Sequence, residues 1–149
     1  MARRLLLSEA KVTATKRTVE QYMSRNPATV GKEEPLVAAH RLMQSNRIRH
    51  LPVLHQGRLV GVVSERDLYL LETVKNVDPR REPVEEAMTA FPFTVPPDAS
   101  LTDVAGQMLK HRYGSALVVQ DGNLVGIFTR ADALRALTEV AVAHCTEGH

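Results

Sequence analysis

A fixed offset of 65 relates the two halves of this chain: Val19 falls on Val84, Met23 on Met88, Pro27 on Pro92, Thr29 and Val30 on Thr94 and Val95, Leu36 on Leu101. The register continues without a gap through Met43 and Met108, Arg47 and Arg112, Val53 and Val118, Gly57 and Gly122, the triplets Leu59-Val60-Gly61 and Leu124-Val125-Gly126, and Asp67 and Asp132. A register that long marks a duplicated unit of about 55 residues. The expected division is a lead-in at 1–18, a first unit at 19–74, a linker at 75–83, a second unit at 84–142 and a mobile tail at 143–149. Lys75 to Pro83 reads as the linker because it is polar and carries Pro79 and Pro83.

Each unit carries the same succession of signals. Val19 to Met23 and Val84 to Met88 suggest a helical turn before Pro27 and Pro92, followed by short β-favouring pairs at Thr29-Val30 and Thr94-Val95. Leu36, Ala39, Leu42 and Met43 recur at helical spacing, as do Leu101, Val104, Ala105 and Met108, with starts at Pro35 and at Asp98 and Ser100. Apolar strands follow at His50 to Leu54 and Ser115 to Val119. They end in Gln56-Gly57 and Asp121-Gly122, of which Asp-Gly is the stronger hairpin signal. Return strands at Leu59 to Val63 and Leu124 to Phe128 lead into helices over Leu68 to Val74 and Ala133 to Val142. One unit alone leaves a sheet face uncovered. The expectation is therefore a mixed α/β (α+β) fold in which two pseudo-twofold-related β-α-β-β-α units pack sheet to sheet.

The chemistry concentrates where strand turns into helix, at Gly61-Val62-Val63-Ser64-Glu65-Arg66-Asp67 and Gly126-Ile127-Phe128-Thr129-Arg130-Ala131-Asp132. Helix N-terminal N–H groups lack intrahelical partners and attract a phosphate, here beside the Ser64 or Thr129 hydroxyl. Asp67 or Asp132, in the first helical turn, offers two acceptor oxygens suited to the vicinal diol of a ribose. The plainer alternative is a capping box, which needs no ligand.

Composition excludes several classes. Of the side chains, 44% are apolar and 24% charged, as in folded proteins, and no apolar run approaches the roughly 20 residues that span a bilayer. Met1-Ala2-Arg3-Arg4 with Leu5 to Leu7 is too short for a secretory signal, so a cytoplasmic location is expected. Cys145 is the sole cysteine, which leaves no disulfide and no Cys-x-x-Cys site. His144, Cys145, Glu147 and His149 in the tail read as polar terminus more than as a metal site, and no metal is expected. A net charge of +2, no tryptophan and 4% aromatic residues argue against nucleic-acid binding. The basic Arg3, Arg4, Lys11, Lys16 and Arg17 read as a solvated lead-in, and Glu33-Glu34 and Glu85-Glu86 as solvated helix-start charges. No nucleophile, metal set or acid–base pair accompanies the strand-to-helix turns, so an enzyme is not expected.

Taken together, the Met-x-x-x-Pro-x-Thr-Val openings, the His50-Leu51-Pro52-Val53 strand, the Gly-turn hairpins and the Ser/Thr-x-x-Asp closings resemble a pair of cystathionine β-synthase (CBS) domains over about residues 19–139. Arg47 to Val53 and Ser64 to Leu68 look like the small bacterial CBS-pair proteins similar to acetoin-utilisation regulatory subunits. The resemblance implies a regulatory module, often called a Bateman module, with no catalytic cofactor. It implies clefts between the units that take AMP, ADP or ATP, or S-adenosylmethionine or NAD, homodimerisation into a disc, and a signal passed to an unidentified target enzyme or regulator. The alternative is a ligand-free dimeric interaction scaffold. Carried over, Asp67 and Asp132 match the ribose acid, Ser64 and Thr129 the hydroxyl near phosphate, and Thr29, Val30, Thr94 and Val95 the strand edge at the base. Arg66 matches a cation for phosphate, while Arg49, His50 and Ser115 border the clefts. The two clefts are expected to differ, because Arg49-His50 and Glu65-Arg66 become Gly114-Ser115 and Arg130-Ala131.

Overall fold

The computed structural model describes residues 16–147. Arg3, Arg4 and Lys11, the tail residue His149, and most of the lead-in lie outside that range. Two four-stranded sheets carry the fold, ordered β2-β3-β4-β5 and β1-β8-β7-β6. The first contains β2 (Val30–Gly31), β3 (His50–His55), β4 (Arg58–Ser64) and β5 (Thr89–Ala90); the second contains β1 (Ser24–Arg25), β6 (Thr94–Val95), β7 (Ser115–Gln120) and β8 (Asn123–Thr129). The helices are α1 (Leu36–Asn46), α2 (Glu65–Val74), α3 (Leu101–His111) and α4 (Arg130–Glu147), with 3-10 turns at Val19–Gln21 and Val84–Glu86.

The expected mixed fold of paired units is present, and the two hairpins show why their sequences match. Gln56 and Gly57 have φ of 50° and 78°, Asp121 and Gly122 of 52° and 79°. Two successive left-handed residues make the turn whose twist suits flanking strands. Gln56 therefore adopts the same conformation as Asp121 despite its weaker preference. The Arg47/Arg112 pair has a similar explanation: each ends a helix in the left-handed region, at φ 55° and 59°. Pro35 and Ser100 stand at the N-caps of α1 and α3, as expected.

Two differences from the sequence reading matter. Helices α2 and α4 begin at Glu65 and Arg130, directly at the caps, three residues earlier than apolar spacing indicated. Helix α4 also runs on to Glu147, because Ala141, Val142 and Ala143 are compatible with helix and no glycine intervenes before Gly148.

The second difference is an exchange. Strand β1 belongs to the first half by sequence, yet it pairs antiparallel with β8, Ser24 opposite Ile127. Likewise β5 pairs with β4, Gly61 opposite Ala90. Val19, Tyr22 and Met23 are buried among Val95, Val104, Met108 and Phe128 of the second half, while Val84 is buried among Leu36, Leu51, Val63 and Leu68 of the first. Backbone bonds repeat the crossing: Val19 N–H donates to Ala99 O (3.0 Å) and Leu101 N–H to Arg17 O (2.9 Å), mirrored by Val84 to Glu34 (2.8 Å) and Leu36 to Glu82 (2.9 Å). Gly61 and Gly126 admit the crossing segments. A Cβ on Gly61 would lie 2.8 Å from Thr89 O and 2.6 Å from Met88 Sδ.

Candidate functional site

The crossing brings segments of both units together around the turn from β4 into α2. Strand β4 hands Ser64 to the start of α2, where a full capping box forms: Asp67 N–H donates to Ser64 Oγ (3.1 Å), and Ser64 N–H to Asp67 Oδ2 (2.9 Å). The cap consumes one carboxylate oxygen. Asp67 Oδ1 has no hydrogen bond or ion pair among the described residues. The capping and ligand readings are thus compatible at this position.

Around Asp67 lies a cleft of about 850 Å³. The first unit contributes Arg49, His50, Val62, Ser64, Glu65, Arg66, Asp67, Tyr69, Leu70 and Thr73; past the linker come Thr89, Phe91, Pro92, Phe93, Arg112, Tyr113, Gly114, Ser115 and Arg130. Of the sequence-derived candidates, Arg49, His50, Ser64, Arg66, Asp67 and Ser115 meet here. Val30 and Val95 are buried in the two cores, and neither they nor Thr29 or Thr94 line this cleft. Thr129 and Asp132 sit at the equivalent turn of the second unit and do not line it either.

Sequence reasoning missed the aromatic and cationic walls. Four of the six Phe and Tyr residues in the chain, Tyr69, Phe91, Phe93 and Tyr113, line this one cleft. Phe93 and Tyr113 stack with centroids 5.0 Å apart, and Tyr69 lies 5.2 Å from His40, whose Nε2 is 2.7 Å from Glu72 Oε1. Phe91 is 96% exposed with φ 52°, a conformation that costs a non-glycine residue of the order of 1 kcal/mol. Scarcity of aromatics in the sequence was the available signal; their convergence was not. Arg49, Arg66, Arg112 and Arg130 also line the cleft, against Glu65 and Asp67, and none of the four has a carboxylate within 4.0 Å among the described residues.

His50 joins the two units. Its Nε2 would stand 2.9 Å from a Cβ placed on Gly114, so glycine permits the ring to lie on the opposite backbone. Burial holds its pKa below the ordinary 6.5; Asp67 opposes that shift, and Arg130 and Arg49 reinforce it.

At the second turn, Thr129 N–H donates to Asp132 Oδ2 (2.8 Å), the Thr129 hydroxyl to the same oxygen (3.1 Å), and Arg135 Nη2 to Asp132 Oδ1 (2.7 Å). Asp132 is 5% exposed. No group of three or more His, Cys, Asp or Glu side chains suited to a metal occurs among the described residues. The side chains of His144, Cys145 and Glu147 are outside that set. No helix among the described residues is long and apolar enough to cross a membrane.

A repeated unit of this topology, with each opening strand paired into the other unit and a cleft at the strand-to-helix turn, defines a tandem CBS pair. The chain belongs to that family: the CBS domain model matches residues 19–71 and again 84–139. Among solved structures it is similar to a protein from Vibrio cholerae assigned to acetoin utilization (AcuB), at 31% identity and TM-score 0.73 over 89% of this chain and 97% of that one. CBSX2, solved in complex with AMP, is 28% identical with TM-score 0.71, covering 83% of this chain and 98% of its own. The CBS pair of protein MJ0100, solved with 5′-methylthioadenosine and S-adenosyl-L-methionine, is 26% identical with TM-score 0.76 over 83% and 98%.

Proposed function

We propose that this chain is a non-catalytic regulatory module that binds an adenosine-containing nucleotide at Asp67 and signals occupancy to a partner protein. The observation that carries this reading is the cleft itself. It joins a carboxylate with an uncommitted oxygen, a helix N-terminus and four arginines without carboxylate partners to four aromatic rings. Asp67 Oδ1 suits the ribose diol, the α2 amides and the guanidiniums suit phosphate, and the rings suit a purine face. That CBSX2 holds AMP and MJ0100 holds adenosine derivatives supports the adenosine class. Within it, four cations against two carboxylates favour AMP, ADP or ATP over the sulfonium cation of S-adenosylmethionine; NAD, with its two phosphates, is the remaining candidate.

The output surface in this reading is a homodimer face. Tyr69, Leu70 and Val74 on α2, Leu109 on α3, and Leu134, Leu137 and Val140 on α4 are exposed, and α3 and α4 enclose an apolar groove of about 600 Å³. Exposed apolar side chains on equivalent helices of both units suit a second copy related by a twofold axis. A nucleotide that wedges the units would alter that face and so the binding of a target enzyme or regulator. The module acts where such a target resides, expected in the cytoplasm.

A thermal-shift series tests the reading. AMP, ADP, ATP, NAD and S-adenosylmethionine are compared with guanine nucleotides; a ligand at 100 times its Kd adds about 2.7 kcal/mol, several degrees for a domain of this size. Adenine-selective shifts are expected. A folded, ligand-free protein indifferent to every nucleotide would favour the scaffold, in which the capping boxes serve only the helices.

A further inference from the structure

The sequence leads to the expectation of two unlike clefts, and the walls of the first are not repeated at the second. Exchanging the four lining arginines for their counterparts 65 positions away turns Arg49 into Gly114, Arg66 into Ala131, and Arg130 into Glu65; of these four only Arg112 is replaced by a cation, Arg47. Of the aromatics, Tyr69 becomes Leu134, Phe91 becomes Asn26, Phe93 becomes Ala28 and Tyr113 becomes Ile48. The second position therefore draws its arginines from other places, Arg130, Arg135 and Arg49 standing opposite Glu65, Leu70 and Gly114, and it has no Phe or Tyr at the places that make the first aromatic.

The acid differs too, despite its identity. Asp67 has one oxygen uncommitted, whereas both oxygens of Asp132 are taken: Oδ2 by Thr129 and Oδ1 by Arg135 at 2.7 Å. Arg135 also donates to Tyr22 O at 3.1 Å, so one guanidinium ties α4 to the segment that crosses over from the first half. Its counterpart in the first unit is Leu70, 58% exposed, which can do neither.

We infer that the chain binds one nucleotide, at Asp67, and that Asp132 is a structural acid held by Arg135 at the crossover. The inference rests on the nucleotide reading above and refines it. A nucleotide at the second position would have to compete with a charge-assisted hydrogen bond to a nearly buried carboxylate, and would meet no Phe or Tyr face for its base.

Isothermal titration of the full chain with ATP and with AMP tests this directly. The expected stoichiometry is one nucleotide per chain. Asp67→Asn is expected to weaken binding at least about tenfold, whereas Asp132→Asn binds within about twofold of the parent affinity and melts at a lower temperature. If Asp132→Asn does not fold, Asp67→Asn still decides, because a live second position would leave one equivalent bound at unchanged affinity. Two equivalents on the parent protein, or that residual equivalent, would overturn the asymmetry while leaving the nucleotide reading intact. No heat with either nucleotide on a folded, ligand-free parent would overturn both.

Discussion

Asp67 serves two functions at once, because a carboxylate has more acceptor capacity than a helix cap uses. With its Oδ2 on the Ser64 amide, Oδ1 can hold a diol through charge-assisted bonds worth roughly 1.5–3 kcal/mol. Asp67→Ala should therefore weaken nucleotide binding by on the order of 10- to 150-fold in titration calorimetry. Ser64→Ala should cost about 1 kcal/mol of stability in denaturant unfolding, the usual loss for an N-cap. His50 supplies a pH dependence. Its folded-state pKa lies below 6.5, so between that lowered value and 6.5 the unfolded chain binds more protons, and stability falls as pH falls through this window. Melting curves across mildly acidic pH should show that slope, and His50→Gln should remove its share of it.

Among the elements, the exchanged segments matter most. Strands of two residues have almost no stability of their own; β1 and β5 persist because Val19, Tyr22, Met23 and Val84 are buried in the opposite cores. Gly61 and Gly126 make room for that seating. Gly126→Ala would set a Cβ 3.0 Å from Ser24 O and against Met23 Sδ, while Gly61→Ala meets the Thr89 carbonyl at 2.8 Å. Either substitution should destabilise by about 1–3 kcal/mol, measured by urea unfolding, since backbone must move to relieve the contact. Because each core borrows from the other half, the unfolding should remain a single transition in both variants.

For the assembled module, the apolar helical face sets the expectation. Leu109, Leu134 and Leu137 are 83%, 64% and 61% exposed, too much contiguous apolar surface for an isolated monomer without consequence. Sedimentation equilibrium should give twice the chain mass of 16.5 kDa, and Leu137→Asp should return it to 16.5 kDa with the fold intact by circular dichroism. An unchanged mass in that variant would place the dimer contact elsewhere.

The sequence alone determined the duplication, the element order, the hairpins and the Ser64–Asp67 turn, because period, capping chemistry and Gly-containing turns are local properties written residue by residue. It also located Arg49, His50, Ser64, Arg66, Asp67 and Ser115 among the residues that line the first cleft. It did not contain, in any readable form, the exchange of β1 and β5, since a two-residue strand has no periodicity to detect. Nor did it reveal that Tyr69, Phe91, Phe93 and Tyr113 converge with Arg112 and Arg130 on one cleft. Those residues are scattered over some 60 positions and meet only because the chain crosses between sheets. The difference between Asp67 and Asp132 was decided last of all, by an arginine whose partners are an acid three residues away and a carbonyl 113 residues away. Identical residues acquire different chemistry when their neighbours in space, and not in sequence, take up their lone pairs.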